Sequence, residues 1–308
     1  MALGEEIWMS KADYAALIAL CAALASAIGD VVRQRSAQEI TDKQVGHLEL
    51  FRLSLRDMRW WLGGCGAIAN YSLQAAALAL GSVVLVTALQ VTSLLFALPI
   101  YARLAHHRVT RSEWMWAVLL AAALAVLVTV GDPGAGHPRG SLAAWMAVAV
   151  IMGPLLVVCV LGAWVWSGGS AAPVLLAVVA GSSLALFAVL TKGAVGAVSG
   201  GLGALLRAPE LYGLIPAALA GMIFQQSSFR AGALTASLPT VTVTKPVVAS
   251  LLGILVLNET LDADGAEAFA LIAAAVVVIV STIALARGEA ASIAAGAGRD
   301  VVVVEKVP

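Results

Sequence analysis

The chain has 308 residues, 61% of them hydrophobic and 12% charged, with a mean hydropathy of +0.96. A soluble domain carries about a quarter charged residues, so this composition excludes one and points to a polytopic, all-α membrane protein. Eighteen basic residues balance eighteen acidic ones, so bulk charge says nothing about a nucleic-acid partner; as a membrane protein the chain is expected to have none. The three cysteines, Cys21, Cys65 and Cys159, lie in apolar runs without metal-ligand spacing. Packing, rather than disulfides or a metal, is their expected role.

The chain begins with an acidic stretch, residues 1–11, read as an extracytoplasmic N-terminus. It lacks the basic region and cleavage site of a signal peptide, so the first apolar run is a retained span. A helix needs about 20 apolar residues to cross a bilayer, and nine stretches meet that need or nearly so. They run from about Tyr14 to Val32, Trp60 to Leu80, Ser82 to Tyr101, Trp114 to Val130, Leu142 to Trp166, Ala171 to Leu190, Leu211 to Ser228, Ala231 to Leu257 and Ala266 to Leu285. Residues 60–102 contain no charged side chain and are too long for one span; Gly81-Ser82 is the expected turn. Ser167 to Ser170, followed by Pro173, divides the fifth span from the sixth. Between the first two spans, Leu48, Phe51 and Leu55 fall at helical spacing among charges, which predicts a surface helix near residues 47–58. Residues 193–209 are a Gly-rich insert, and residues 288–308 are expected to be a disordered cytoplasmic tail.

Basic residues orient the spans. With the N-terminus outside, thirteen Lys and Arg side chains fall on the cytoplasmic side, while Lys11, Arg139, Lys192 and Arg207 fall outside. Glu210, Glu259, Asp262, Asp264 and Glu267 then form an acidic outer side, with a solvated loop as the plainer account of Glu259. Six of the tryptophans, Trp60, Trp61, Trp114, Trp116, Trp164 and Trp166, sit at expected span ends.

Lys245 stands near the middle of the eighth span, between Pro239 and Pro246. A cation at bilayer centre costs about 2.5–3.5 kcal/mol on insertion scales and usually marks function. Lys245 is expected to bind an anionic or polar substrate. The plainer reading is a structural lysine bonded to carbonyls freed by Pro246. Thr240, Thr242 and Thr244 are available to satisfy the exposed backbone or to meet substrate. Asn70, Gln74, Gln225 and Gln226 are amides inside spans two and seven, either cavity residues or interhelical glue. Asp30 with Arg33 and Arg35 is a charge cluster at the end of span one, read as a helix-end cluster or a gate.

A shift of 153 residues aligns spans two to four with seven to nine, bringing Ser82 onto Thr235 and Thr87 onto Thr240. It makes Thr92 the mate of Lys245, with Gln90 and Ser93 beside it, while Arg33 falls loosely on Lys192. This predicts a 4+1+4 inverted repeat: residues 12–131, a linker and fifth span at 132–167, then 168–287. Such repeats are a recurring plan of secondary transporters, with the site at the midplane.

Gly29-Asp-Val-Val-Arg-Gln-Arg35, Leu73 to Ser82, Arg111-Ser-Glu-Trp114 and Phe229 to Leu261 resemble the drug/metabolite transporter superfamily. The last, with Pro239, Pro246 and Leu257-Asn-Glu-Thr-Leu261, looks EamA-like, and the nine-span plan looks most like an actinobacterial branch related to NIPA-type magnesium transporters. Members often carry an acid where Lys245 stands and a glycine where Asn258 stands. The resemblance implies a secondary transporter in the inner membrane working by alternating access, without cofactor, metal or enzymatic activity. The substrate expected is a small polar or anionic metabolite or a lipid-linked headgroup, moved with protons or down its own gradient. Substrate-binding candidates are Lys245, Thr242, Thr244, Gln90, Thr92, Gln74, Gln226 and Asn70. Gating or interface candidates are Asp30, Arg33, Glu259, Pro239 and Pro246. A divalent-cation transporter and a non-transporting scaffold are the rivals, and Gly63 to Gly66 allow close packing within a protomer or in a homodimer.

Overall fold

The structure is a computed structural model that describes residues 10–40, 58–104, 110–131, 134, 136–166, 171–231, 234–260 and 265–304. Side chains of 30–40, 58–64, 98, 101, 102, 104, 229–231, 234–236 and 289–304 lie outside that description. Among the described residues the regular elements are all helices. They are α1 (Lys11–Ile40), α2 (Met58–Leu80), α3 (Val83–Gln90), α4 (Ser93–Leu104), α5 (Arg111–Gly131) and α6 (Leu142–Val165). After them come α7 (Ala171–Val198), α8 (Leu202–Leu206), α9 (Pro209–Ala231), α10 (Leu234–Leu257) and α11 (Ala266–Val304).

Helices are the expected solution in lipid, because each backbone N–H must find its partner inside the segment. Among the described residues six helices are long and apolar enough to cross a bilayer: Lys11–Gly29, Arg111–Gly131, Leu142–Val165, Ala171–Val198, Ser237–Leu257 and Ala266–Gly288. Cys65–Leu80 and Val83–Ala97 are shorter apolar stretches. The protein is an all-helical, polytopic membrane protein.

The packing has a hub. In α7, 67% of the most apolar window is buried, against 6% in α6, so α7 is central and α6 peripheral. α7 packs on α9 and α10, α1 packs on α2, and α5 packs on α11. α3 and α4 both touch α1, and α3 also meets α10. The largest apolar cluster joins Ala15, Ala19, Ala77, Leu78, Val83, Leu85, Val86, Val189, Leu252 and Leu257, near one end of the bundle. α6 leaves Val150, Ile151, Val158 and Val165 exposed, as a lipid-facing helix should. Trp114, Trp164 and Trp166 are exposed at helix ends.

The turn expected at Gly81-Ser82 is present. Gly81 lets α1 approach, since a Cβ there would stand 2.7 Å from Ala15 Cβ. The Ser82 hydroxyl accepts from the Leu85 N–H at 3.0 Å and caps α3.

Several boundaries differ from expectation. The third span is two helices, interrupted at Val91-Thr92, where the Val91 N–H turns to Ala88 O and the Thr92 N–H to Leu89 O, both three residues back. This tight turn needs neither glycine nor proline, so nothing in the local sequence announced it. α7 runs eight residues past Leu190 and takes part of the expected 193–209 insert, and α8 takes more. α11 continues to Val304, through most of the stretch expected to be a disordered tail. Cys21 and Cys65 are exposed rather than packed, and Cys159 is intermediate. The surface helix expected near 47–58 lies outside the described residues, except for Met58 in α2.

Candidate functional site

The most tightly bonded charges in the described structure lie where α10 ends. Leu257 closes the helix and Asn258 adopts φ +51°, a left-handed conformation that asparagine tolerates better than most residues. The Glu259 N–H then reaches back six positions to Gly253 O at 3.1 Å, so the chain folds back over the last turn of the helix. That reversal turns the Glu259 side chain inward. Its Oε1 accepts from the Val83 N–H at 2.6 Å and from Lys192 Nζ at 2.6 Å, and its Oε2 accepts from the Val84 N–H at 3.0 Å. The first amides of a helix have no partner within it, and that end carries partial positive charge. One carboxylate therefore satisfies two orphan donors of α3 and neutralises an ammonium on α7. The side chains are 5% exposed for Lys192 and fully buried for Glu259. Gly253 makes the room, because a Cβ there would stand 2.6 Å from Glu259 Oε2.

Both residues correct the sequence reading, which put Lys192 outside the membrane spans and favoured a solvated loop for Glu259. Lys192 lies within α7, and Glu259 is buried at the α10 terminus.

A strap covers this cluster. Gly134 and residues 136–140, between α5 and α6, cross the ends of α10 and α7 and make up this strap. The Gly134 N–H donates to Thr260 O at 2.9 Å and the His137 N–H to Leu257 O at 2.6 Å. Gly136 has φ +60°, and a Cβ on it would run into Leu257 O and the Glu259 backbone. Gly196 of α7 admits Pro138, whose carbonyl would lie 2.8 Å from a Cβ. Arg139 forks onto Glu210 in the first turn of α9, with Nε to Oε1 at 3.2 Å and Nη2 to Oε2 at 2.8 Å. The hydrogen bonds that Arg139 donates to the Glu210 carboxylate raise its guanidinium above the ordinary pKa. Glu210, expected on an acidic outer face, is buried against Gly193.

Lys245 lies twelve residues before the end of α10. At 1.5 Å per residue that is about 18 Å from the Glu259 end, close to mid-bilayer depth. Lys245, Thr240, Thr242, Thr244 and Pro246 are partly buried, and Pro239 is buried. The two prolines lie inside α10 and cannot donate to the preceding turn. Thr242 Oγ1 bonds Leu238 O at 2.8 Å, so this hydroxyl serves the backbone. Gly181 of α7 brings the hub against the site, because a Cβ there would stand 2.7 Å from Thr244 Cβ and 3.2 Å from Lys245 N.

Three amides gather between α2 and α3. Gln90 Nε2 donates to Asn70 Oδ1 at 3.2 Å. Gln74, 1% exposed, has no partner for either amide atom among the described residues. The Tyr71 and Phe187 rings meet edge to face at 5.2 Å, tying α2 to α7. Thr92, the expected mate of Lys245, is buried and bonds Leu89 O at 2.6 Å. Gln226 departs from the expected set: it is exposed, and Gln225 is partly buried. Asp30 and Arg33 lie in α1, with side chains outside the described residues.

Sequence reading thus reached Glu259 as a gating or interface residue and missed Lys192, Arg139 and Glu210 as partners. The usable signal was the helix end at Leu257-Asn258, which predicts a reversal and an inward-turned residue after it.

Neither a family model nor a solved structure matches the chain. It is 39% identical over 280 residues to an uncharacterized protein of Corynebacterium glutamicum, and the match spans 89% of this chain and 94% of that one. With that identity over nearly the whole of both chains, this protein belongs to the same family as that corynebacterial protein.

Proposed function

We propose that the protein is a secondary transporter of the drug/metabolite transporter type. In this reading two inverted halves alternate access to a midplane site that holds Lys245, and the N-terminus lies outside the inner membrane. The substrate is a small polar or anionic metabolite or a lipid-linked headgroup. The observation that carries the reading is Lys245 itself: a partly buried cation at mid-bilayer depth, on a two-proline helix, packed against the hub at Gly181. Intramembrane charges of this kind usually mark a solute or proton path.

Two further features support it. Some contacts recur in both halves, α1–α2 with α7–α9 and α1 on α3 and α4 with α7 on α10, whereas the α10–α11 packing has only a slight counterpart between α3 and α5. The α5–α11 and α3–α10 contacts pair segments that the 153-residue shift superposes, as a two-fold relation between halves requires. The interruption at Val91-Thr92 also falls at the position aligned with Lys245, and irregular backbone at depth is tolerated where it is buried in protein or lines a cavity. A magnesium site at Glu259 has less support, since three donors already occupy both carboxylate oxygens.

A thermal-shift screen of purified protein identifies a solute, and its uptake is then measured in proteoliposomes. Lys245→Ala and Lys245→Gln should each reduce the rate at least tenfold. Wild-type rates in both variants end the reading.

A further inference from the structure

We infer that the Lys192–Glu259 pair, the N-terminus of α3 and the strap formed by Gly134 and residues 136–140 make a two-layer latch that holds this end of the bundle shut. The inference rests on the transporter reading for its purpose, but its geometry is independent of Lys245.

The inner layer is a three-way joint. Glu259 follows α10, Lys192 belongs to α7, and Val83 and Val84 begin α3. These attachments are far apart in sequence, separated by 67 residues for Lys192 and by 176 and 175 for the two amides. Moving α10 away from α7 and α3 must therefore break all three bonds together. Separating a buried ion pair leaves uncompensated charge, so the joint resists small displacements and yields only when water enters. Below it the packing is continuous: Val83, Val86, Val189, Leu252 and Val256 belong to one buried cluster.

The outer layer crosses the same helices. Its backbone is tied to Leu257 and Thr260 on one side, and Arg139 is tied to Glu210 on the other. Glu210 sits against Gly193, the residue after Lys192. The strap thus bridges α10 and α9 across the end of α7, and release of the inner joint without release of the strap leaves the end covered.

The joint has a polarity that an ordinary ion pair lacks. Glu259 must be an acceptor, because α3 offers it only donors. Exchanging the charges keeps the Coulomb attraction but puts an ammonium against the positive end of α3.

Thr87→Cys serves as the reporter in a C21A/C65A/C159A background. Thr87 is 1% exposed and lies about 6 Å, one turn, inside α3. A membrane-impermeant maleimide is applied to vesicles from the Glu259 side. Labelling should be slow in the parent and at least tenfold faster with Glu259→Gln. It should remain fast in the K192E/E259K exchange, and Arg139→Ala should raise it two- to threefold. Equal labelling of the parent and E259Q, with both eluting as folded protein, overturns the latch. If E259Q does not fold, equal labelling of R139A and the parent overturns it. The exchange restoring full protection also overturns the acceptor role given to Glu259. Because labelling needs no solute, a response in vesicles that transport nothing sustains the latch while the transport reading fails. Transport without any labelling response removes the latch alone.

Discussion

Lys192 and Lys245 are both cations on apolar helices, yet the fold treats them differently. Lys192 is 5% exposed and meets a carboxylate at 2.6 Å, itself bonded to two helix-end amides. Lys245 is only partly buried and lies at mid-bilayer depth beside Thr244, on a helix with two prolines. The first arrangement suits holding: every strong group has a strong partner and the surroundings are packed aliphatic side chains. The second suits exchange, since a partly accessible ammonium can trade one neighbour for another. Position along an apolar run ranks Lys245 as the more unusual residue, whereas burial ranks Lys192.

The largest effect that tests this contrast is Lys192→Met. It leaves a buried carboxylate without its cation and should cost about 3–5 kcal/mol of stability, read by reversible unfolding in detergent or bicelles. Lys245→Gln should cost under about 1 kcal/mol in the same assay, because it removes an intramembrane charge whose placement is itself costly. Equal losses would erase the distinction between the two lysines.

Next in size is Gly181→Val. Its Cβ would press on Thr244, where the glycine now leaves α7 and α10 in contact. Overpacking of this kind should cost about 1–3 kcal/mol and should slow transport as Lys245→Ala does, since it displaces the same segment. A Gly181→Val protein with full stability and full uptake would show that the close approach does not position Lys245.

The smallest effect is expected at Asn258. Glycine at φ +51° relieves left-handed strain but loosens the unfolded chain, so Asn258→Gly should change stability by about 0.5 kcal/mol or less. Asn258→Val should cost more than 1 kcal/mol, roughly, because a β-branched residue is strained there. Measured on one denaturation scale, this pair sharpens how much of the latch depends on the reversal that aims Glu259.

Much of the architecture was legible from local chemistry. The Gly81-Ser82 turn, the helix beginning at Arg111, and the ends of α6 and α10 fall where composition changes. The interruption at Val91-Thr92 was not legible, because valine and threonine there continue an apolar run and carry no breaker. Lys192 was read as lying just outside the span that ends at Leu190. α7 instead carries it inward, where a partner 67 residues away compensates it.

The sequence by itself determined that the chain is helical, membrane-embedded and equipped with a cation inside an apolar segment. Those properties follow from the length of apolar runs and from the need to satisfy backbone groups in lipid. Only the tertiary structure decided which charges are paired, because pairing depends on what faces a side chain across helices. Burial of Glu259 beneath the strap, its two amide donors on α3 and the ammonium from α7 converge from four separate stretches of chain. No local average of hydropathy or charge carries that convergence.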